Sequence, residues 1–301
     1  MQGYFLRLSL TGFIAALAYS QAPTIRISSN LVLTPVRVTD ADGRVVRDLK
    51  PGDFDIEENG IKVAAARLGD PGEAPLELAM LFDTSGSVYT RFDLERAAAA
   101  RFLNRIMRPL DSVFIVSVAN QPQIMLGRTS SLEAALQAVA RIVPTTQATA
   151  FYNSVAKAVR ALEETDRQEA RRVIIAISDG EDNRSLDNTQ EDLLRDLQLT
   201  NCIFYSINPR GRTYDRNFIS RRAQQGMEAL AQQTGGLSFV ADSAEELAGF
   251  LDRIADELQG QYLLGYYSTA ATGAGIYREI AIQVHGRPSL RIKARPGYYP
   301  K

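Results

Sequence analysis

The central part of the chain alternates short apolar runs with longer amphipathic stretches. The apolar runs occupy residues 76–82, 113–118, 173–177 and 202–207, with a shorter run at 237–240. The amphipathic stretches predict helices over 92–107, 132–143, 151–163, 189–199, 222–233 and 244–258. This alternation is typical of a doubly wound, mostly parallel sheet with helices on both faces. The segment 123–126 follows the second run too closely for a helical crossover, so we expect an antiparallel edge strand there.

The two ends of the chain carry a different pattern, in which β-branched and polar residues alternate as they do in strands. Turn signals at Asp42-Gly43 and Asn59-Gly60 divide the first flank into short strands. Neither flank is long enough to bury both faces of a sheet alone, so we expect them to pair into one small β-sandwich, with two separate flanks as the alternative. The predicted division is an N-terminal β flank at 23–72, an α/β domain at 73–260 and a C-terminal β flank at 261–301.

The first 22 residues have the pattern of a secretory signal. Arg7 precedes an apolar run at residues 8–18, and the small residues Ser20 and Ala22 follow it. A secreted or periplasmic protein is therefore expected, with an N-terminal helix of a folded domain as the alternative. No later apolar run reaches the ~20 residues that a bilayer requires, so we expect no integral membrane span after signal removal.

The net charge and the numbers of cysteine and histidine residues argue against several classes of function. The 34 basic and 35 acidic residues give a net charge of −1, which argues against a nucleic-acid partner. A single cysteine, Cys202, cannot form an internal disulfide, and a single histidine, His285, leaves too few imidazoles for a usual zinc site. Nothing in the sequence predicts an oligomeric state.

Oxygen-bearing side chains follow the predicted strands. Asp83, Ser85 and Ser87 come at the end of the first apolar run, Asp179 follows the third run, and Thr149 precedes a helix. The carboxyl ends of parallel strands meet at one sheet edge, where ligands bind. Carboxylates and hydroxyls without thiol or imidazole select a hard cation, and Mg²⁺ or Mn²⁺ fits small hydroxyl ligands better than Ca²⁺. Helix capping by Asp83, with the serines lining a turn, is the alternative.

In type and order these residues resemble the metal-ion-dependent adhesion site of the von Willebrand factor type A family. Asp83, Ser85 and Ser87 match its Asp-x-Ser-x-Ser motif, and Asp179-Gly180 matches its Asp-Gly motif. Thr149 matches its lone threonine, with Thr145 and Thr146 as weaker alternatives. The resemblance implies that both serines and the threonine bind the ion directly, and that the two aspartates act largely through water. It also implies a module without catalytic activity, which binds a protein ligand through an acidic side chain.

The chain departs from that family pattern at two places: Gln147-Ala148 stands where members often have Gly-Gly, and Asn153 stands where they often have Asp. The flanks resemble those of a bacterial secreted subfamily, through Asp-Phe-Asp-Ile-Glu-Glu-Asn-Gly at 53–60 and the tyrosine-rich segments 261–267 and 295–299. The family further suggests a switch, in which the loop around Thr149 and the helix at 244–258 move together.

Two other functions are open at the level of sequence. One is a metal-free structural subunit of an envelope complex. The other is a metal-dependent hydrolase, for which Glu181 or Asp182 would be the general base. A separate arginine-rich stretch, with Arg210, Arg212, Arg216, Arg221 and Arg222, is a candidate surface for an anionic partner, although solvated charge is the simpler interpretation.

Overall fold

The structure, a computed structural model, describes residues 31–70, 73–86, 92–145, 147–165, 167, 169–214, 217–268 and 275–300. The predicted signal segment lies outside these ranges. The described strands are β1 (Leu31–Thr39), β2 (Phe54–Glu58), β3 (Ile61–Val63), β4 (Ala65–Gly69), β5 (Leu76–Asp83), β6 (Ser112–Val118), β7 (Gln123–Thr129), β8 (Arg171–Ile177), β9 (Cys202–Asn208), β10 (Ser238–Val240), β11 (Gln261–Tyr267), β12 (Arg278–Val284), β13 (Arg291–Lys293) and β14 (Gly297–Tyr298). The described α-helices are α1 (Phe92–Ile106), α2 (Leu132–Arg141), α3 (Phe151–Glu163), α4 (Gln190–Leu199), α5 (Phe218–Thr234) and α6 (Ala244–Gln259). None of these helices combines the length and the apolar character needed to cross a membrane.

The central sheet has the strand order β10-β9-β8-β5-β6-β7. Its first five strands are parallel, and β7 pairs antiparallel with β6 at the edge. Phe82 of β5 is level with Ile177 of β8, which is level with Ile207 of β9. The predicted doubly wound sheet and its antiparallel edge strand are therefore confirmed, and the parallel strands end at a common edge.

Helices cover both faces of this sheet. On one face α1, α2 and α6 pack against it, with Phe102 and Leu251 in the same buried cluster as Met80 of β5. On the other face α3, α4 and α5 form a second cluster, in which Val155 lies with Leu81. Alternate residues of β5 thus serve opposite cores, and this explains why the strand is apolar throughout rather than alternating.

Local capping chemistry sets several helix ends. The Ser131 hydroxyl accepts the Ala134 N–H at 3.1 Å and begins α2. Gly235, with a φ of 83°, ends α5 in the left-handed conformation that glycine favours. Asp93 lies in the first turn of α1, where a negative charge interacts favourably with the helix dipole.

Helix α5 begins at Phe218, before the predicted start at residue 222. The Asn217 side chain caps it by accepting the Ser220 N–H at 2.8 Å. Phe218 and Ile219 are 70% and 63% exposed. Apolar periodicity cannot mark a first turn whose large apolar residues face solvent, so the sequence pattern missed it.

The flanks form two antiparallel sheets, with strand orders β13-β1-β11-β4 and β14-β12-β2-β3. Each sheet contains strands from both ends of the chain, because β1 pairs with β11 and β2 pairs with β12. One apolar core is shared between the sheets and includes Val36, Ile56, Tyr262 and Ile280. The predicted pairing of the flanks is therefore confirmed.

The last helix of the α/β unit is anchored to the flank sheets through a buried carboxylate. Glu257 of α6 accepts a hydrogen bond from the Tyr205 hydroxyl at 2.9 Å and another from the Lys293 ammonium, and it lies 3.7 Å from Arg37. Lys293 belongs to β13 and Arg37 to β1. A shift of α6, the movement that the family resemblance suggests, would have to break these contacts.

Candidate metal centre at the carboxyl edge of the sheet

Asp83 ends β5, and Ser178 and Asp179 immediately follow the neighbouring strand β8. The chain leaves β5 for β6 on one side of it and later returns to β8 on the other side. The carboxyl end of β5 is therefore the point where strand order reverses, which is where open α/β sheets bind ligands. Local strand order brings together side chains that are 95 residues apart in sequence.

The Asp83 carboxylate is fully buried, and each of its oxygens accepts a hydrogen bond. Its Oδ1 accepts the Ser85 N–H at 2.8 Å, and its Oδ2 accepts the Ser178 hydroxyl at 2.6 Å. The Ser85 side chain also hydrogen-bonds to this carboxylate. Two serine hydroxyls therefore lie directly against Asp83.

Charge in this site is not balanced around Asp83. Burial and the nearby negative charge of Asp179 raise the pKa of Asp83 to about 6, against the opposing hydrogen bonds from Ser178 and Ser85. At neutral pH the carboxyl group is ionised in spite of this penalty. A buried carboxylate held close to a second one favours binding of a cation.

Asp179 holds its loop with one oxygen and a guanidinium with the other. Its Oδ1 accepts the Glu181 N–H at 3.1 Å, and its Oδ2 accepts Arg210 Nη1 at 2.8 Å. Gly180 follows with a φ of 71°, and a Cβ at that position would lie 2.8 Å from the Met227 sulfur. Only glycine meets both conditions, so the Asp-Gly pair has a structural reason at its second position.

Thr149 is buried and joined to the Asp179 loop through its backbone. Its N–H donates to Asn183 Oδ1, and its carbonyl accepts the Asn183 N–H, both at 3.1 Å. Thr145, in the same loop, donates from its hydroxyl to the Thr84 carbonyl at 3.0 Å. These bonds hold the threonine loop against both strand ends although Gln147-Ala148 replaces the expected glycines.

The predicted site residues thus have different outcomes. The structure brings Asp83, Ser85 and Asp179 together through hydrogen bonds and charge. Thr149 lies in the adjoining loop, fixed by Asn183. Ser87 lies outside the described residues.

Three contributors were not assigned to this site from sequence. Ser178 donates to Asp83, Asn183 orients Thr149, and Arg210 pairs with Asp179. The sequence offered a signal for Ser178 and Asn183: both are polar residues close to the Asp-Gly motif, one before it and one after it. Arg210 was grouped with the other arginines, of which Arg212 instead pairs with Asp242 and Glu246.

The two acids proposed as general bases have structural partners. Asp182 accepts the Tyr152 N–H at 2.8 Å and caps α3, whose own cap residue, Ala150, has no side-chain acceptor. Glu181 accepts the Ser220 hydroxyl at 2.7 Å. Both carboxylates are thereby engaged in holding α3 and α5.

The side-chain oxygens at this site are suitable ligands for a hard cation. They belong to two carboxylates and to the hydroxyls of Ser85 and Ser178, and no thiol or imidazole is among these donors. Across the described part of the chain, no three His, Cys, Asp or Glu side chains are grouped closely enough to hold a metal ion. Beside Asp83, a metal ion would meet hydroxyl oxygens as well as carboxylate oxygens.

Comparison with known proteins agrees with this architecture. Residues 78–181 match the family model of the von Willebrand factor type A domain, and the chain contains such a domain. No curated protein sequence matches the chain.

Several solved structures are similar to this chain at low sequence identity. Proximal thread matrix protein 1 from the mussel byssus, described with a zinc-occupied MIDAS motif, has a TM-score of 0.51 and 15% identity over 68% of this chain and 50% of its own. The pilus adhesin SpaC from Lactobacillus rhamnosus GG has a TM-score of 0.51 and 10% identity over 88% of this chain and 47% of its own. BatB from Bacteroides thetaiotaomicron has a TM-score of 0.46 and 16% identity over 60% of this chain and 98% of its own. The chain spans about half the length of the mussel and pilus proteins.

Proposed function

We propose that this chain is a divalent-cation-dependent binding module that recognises a carboxylate on a protein partner. Asp83, Ser85, Ser87, Thr149 and Asp179 would hold Mg²⁺ or Mn²⁺. The observation that carries the proposal is the pair of buried aspartates, Asp83 and Asp179, with serine hydroxyls against the first of them.

The chemistry of the donors explains why the partner group would be acidic. When bound, the ion supplies a positive charge at the sheet edge. The hydroxyl ligands are neutral, and the family resemblance implies that the two aspartates act through water rather than as direct ligands. An incoming Asp or Glu side chain would therefore complete the coordination favourably. No step in this function requires a bond to be made or broken, and the module would act by binding alone.

Export of the chain is part of the same proposal. Its support is the charged, apolar and small-residue pattern of residues 1–22. A pilus adhesin is among the proteins with this fold, which suits an adhesion or assembly role outside the cytoplasm.

One observation favours a second candidate, the metal-free structural subunit. Arg210 already places a positive charge on Asp179 at 2.8 Å, as an ion pair that replaces a metal would. The hydrolase has no comparable support, because Asp182 and Glu181 are both engaged in holding helices.

Water proton relaxation with Mn²⁺ tests the proposed function. We expect EDTA-treated protein to enhance relaxation when Mn²⁺ is added, and Ser85→Ala to remove that enhancement. The capped tripeptide Gly-Asp-Gly should then lower the signal by replacing manganese-bound water, whereas the matched Gly-Asn-Gly should not. Absence of enhancement, or equal responses to the two peptides, would contradict the proposal.

A further inference from the structure

The Arg210 guanidinium lies within hydrogen-bond distance of a predicted metal-site carboxylate. Arg210 Nη1 is 2.8 Å from Asp179 Oδ2 and 3.9 Å from Glu181 Oε1, and the arginine side chain is only 14% exposed. A charge-assisted hydrogen bond at this distance is among the stronger kinds, and low exposure reduces its screening by salt. Any divalent ion at Asp179 would meet a fixed positive charge.

The loop that carries Arg210 is built to hold this position. Asn208, the last residue of β9, accepts the Arg210 N–H on its side-chain oxygen at 3.0 Å. Gly211 follows with a φ of 85°, and a Cβ there would lie 2.7 Å from Asp242 Oδ1. That Asp242 oxygen accepts the Arg212 N–H at 2.6 Å. The backbone on both sides of Arg210 is therefore fixed.

The register of the central sheet explains why the Arg210 side chain can reach Asp179. Strands β8 and β9 are adjacent and parallel, with Ile177 level with Ile207. Asp179 and Arg210 therefore leave neighbouring strands at the same edge. The contact between them follows from the strand order of this sheet.

We propose that Arg210 is an internal competitor for the divalent cation, so that its guanidinium sets the cation affinity of the site. An ion that approaches Asp179 must bind against this charge or displace the guanidinium from Oδ2. Glu181, 3.9 Å from Nη1, is an acceptor within reach of a displaced guanidinium. This inference rests on the proposed function, because it assumes that Asp179 belongs to a cation site.

Calorimetric titration of Mg²⁺ and Mn²⁺ into EDTA-treated protein tests the inference. Arg210→Gln removes the charge and should tighten cation binding by about tenfold or more, since one unit charge beside a divalent ion is a large term in a poorly screened site. Arg210→Lys keeps the charge and should leave the affinity near that of the wild type. Arg212→Gln is the matched control, because it removes an arginine from the same loop that pairs with Asp242 and Glu246.

Each outcome decides between the two claims. Tighter binding by Arg210→Gln alone, with a wild type that also binds the cation, supports the competitor. Equal or weaker binding by Arg210→Gln, with a binding wild type, overturns the inference and leaves the proposed function standing. No binding by any folded variant overturns both. Circular dichroism and thermal unfolding of each variant establish that it is folded.

Discussion

Two buried carboxylates in different parts of this molecule have opposite surroundings. Glu58, in the flank sheets, accepts hydrogen bonds from the hydroxyls of Tyr266, Tyr298 and Ser268 and from Arg278, at 2.6 to 3.2 Å. Burial raises the pKa of Glu58, but these hydrogen bonds and the Arg278 charge outweigh it, and the pKa is lowered overall. Asp83 has hydroxyl donors too, yet its pKa is raised to about 6.

The difference lies in the nearest charge. Glu58 faces the cation Arg278, whereas Asp83 faces the anion Asp179. A carboxylate with a complete set of protein donors and a counter-charge stabilises the fold and needs no ligand. A carboxylate held beside another carboxylate is stabilised by a ligand of opposite charge. The contrast separates a structural acid from a candidate binding group within one chain.

The largest expected effect concerns the structural acid. Glu58→Gln removes the negative charge that faces the buried Arg278 and should lower the free energy of unfolding by about 3–5 kcal/mol. Denaturant unfolding measures it. The neighbouring Glu57→Gln, on the other face of β2, is the control and should change stability little. Equal effects of the two substitutions would show that Glu58 is not the centre of this cluster.

Removing the charge of Asp83, the candidate binding group, should change the free energy of unfolding in the opposite direction. In EDTA at pH 7, Asp83→Asn should raise the free energy of unfolding by up to about 3 kcal/mol, because a pKa shift of about two units no longer opposes folding. The same substitution should abolish stabilisation by Mg²⁺. If Asp83→Asn were strongly destabilised in EDTA, the ionised Asp83 carboxylate would not be a group that opposes folding until a cation binds, and the assignment would be contradicted.

The pH dependence follows from the same shift. The pKa of Asp83 is about 6 in the folded protein, against an ordinary value of 3.8 for an aspartate in an unfolded chain. Between these two pH values the folded state therefore binds more protons than the unfolded state. Stability contributed by this group is therefore present at low pH and lost as pH rises through about 6. Glu58 acts in the reverse direction, since its lowered pKa means that stability is lost as pH falls. The gain from Asp83→Asn should accordingly vanish near pH 4.

A bound divalent cation should supply the positive counter-charge that Asp83 lacks. Mg²⁺ at about 100 times its dissociation constant should raise the free energy of unfolding by about 2.7 kcal/mol. Ser85→Ala should lose most of this gain, because it removes a neutral ligand while it leaves both carboxylates in place. Denaturant unfolding in EDTA and in Mg²⁺ gives the comparison. Equal stabilisation of Ser85→Ala and the wild type would place the ion elsewhere.

The smallest effect concerns the acid next to the site. Asp182→Ala removes the cap of α3 and should lower stability by about 0.5–2 kcal/mol while leaving Mg²⁺ affinity unchanged. Asp187→Ala, in the same loop and exposed, is the control for the loss of one negative charge. A large loss of Mg²⁺ affinity in Asp182→Ala alone would return Asp182 to the metal site.

Sequence was sufficient for the parts that depend on local pattern. Apolar runs marked the buried strands, and strand ends marked Asp83, Ser85 and Asp179, because a parallel sheet brings such ends to one edge. Contacts between different loops could not be predicted in the same way. Arg210 reaches Asp179 only because β9 lies beside β8, and its sequence neighbour Arg212 points to a different partner. The pairing of arginines was therefore decided by strand order and loop geometry.

Direct titration of Mg²⁺ into EDTA-treated protein, with Asp83→Asn and Ser85→Ala in parallel, tests the central claim most directly. The claim predicts one saturable site in the wild type that both substitutions remove, with all three proteins folded. A folded wild type that takes up no Mg²⁺ or Mn²⁺, or one whose binding survives both substitutions, would contradict it.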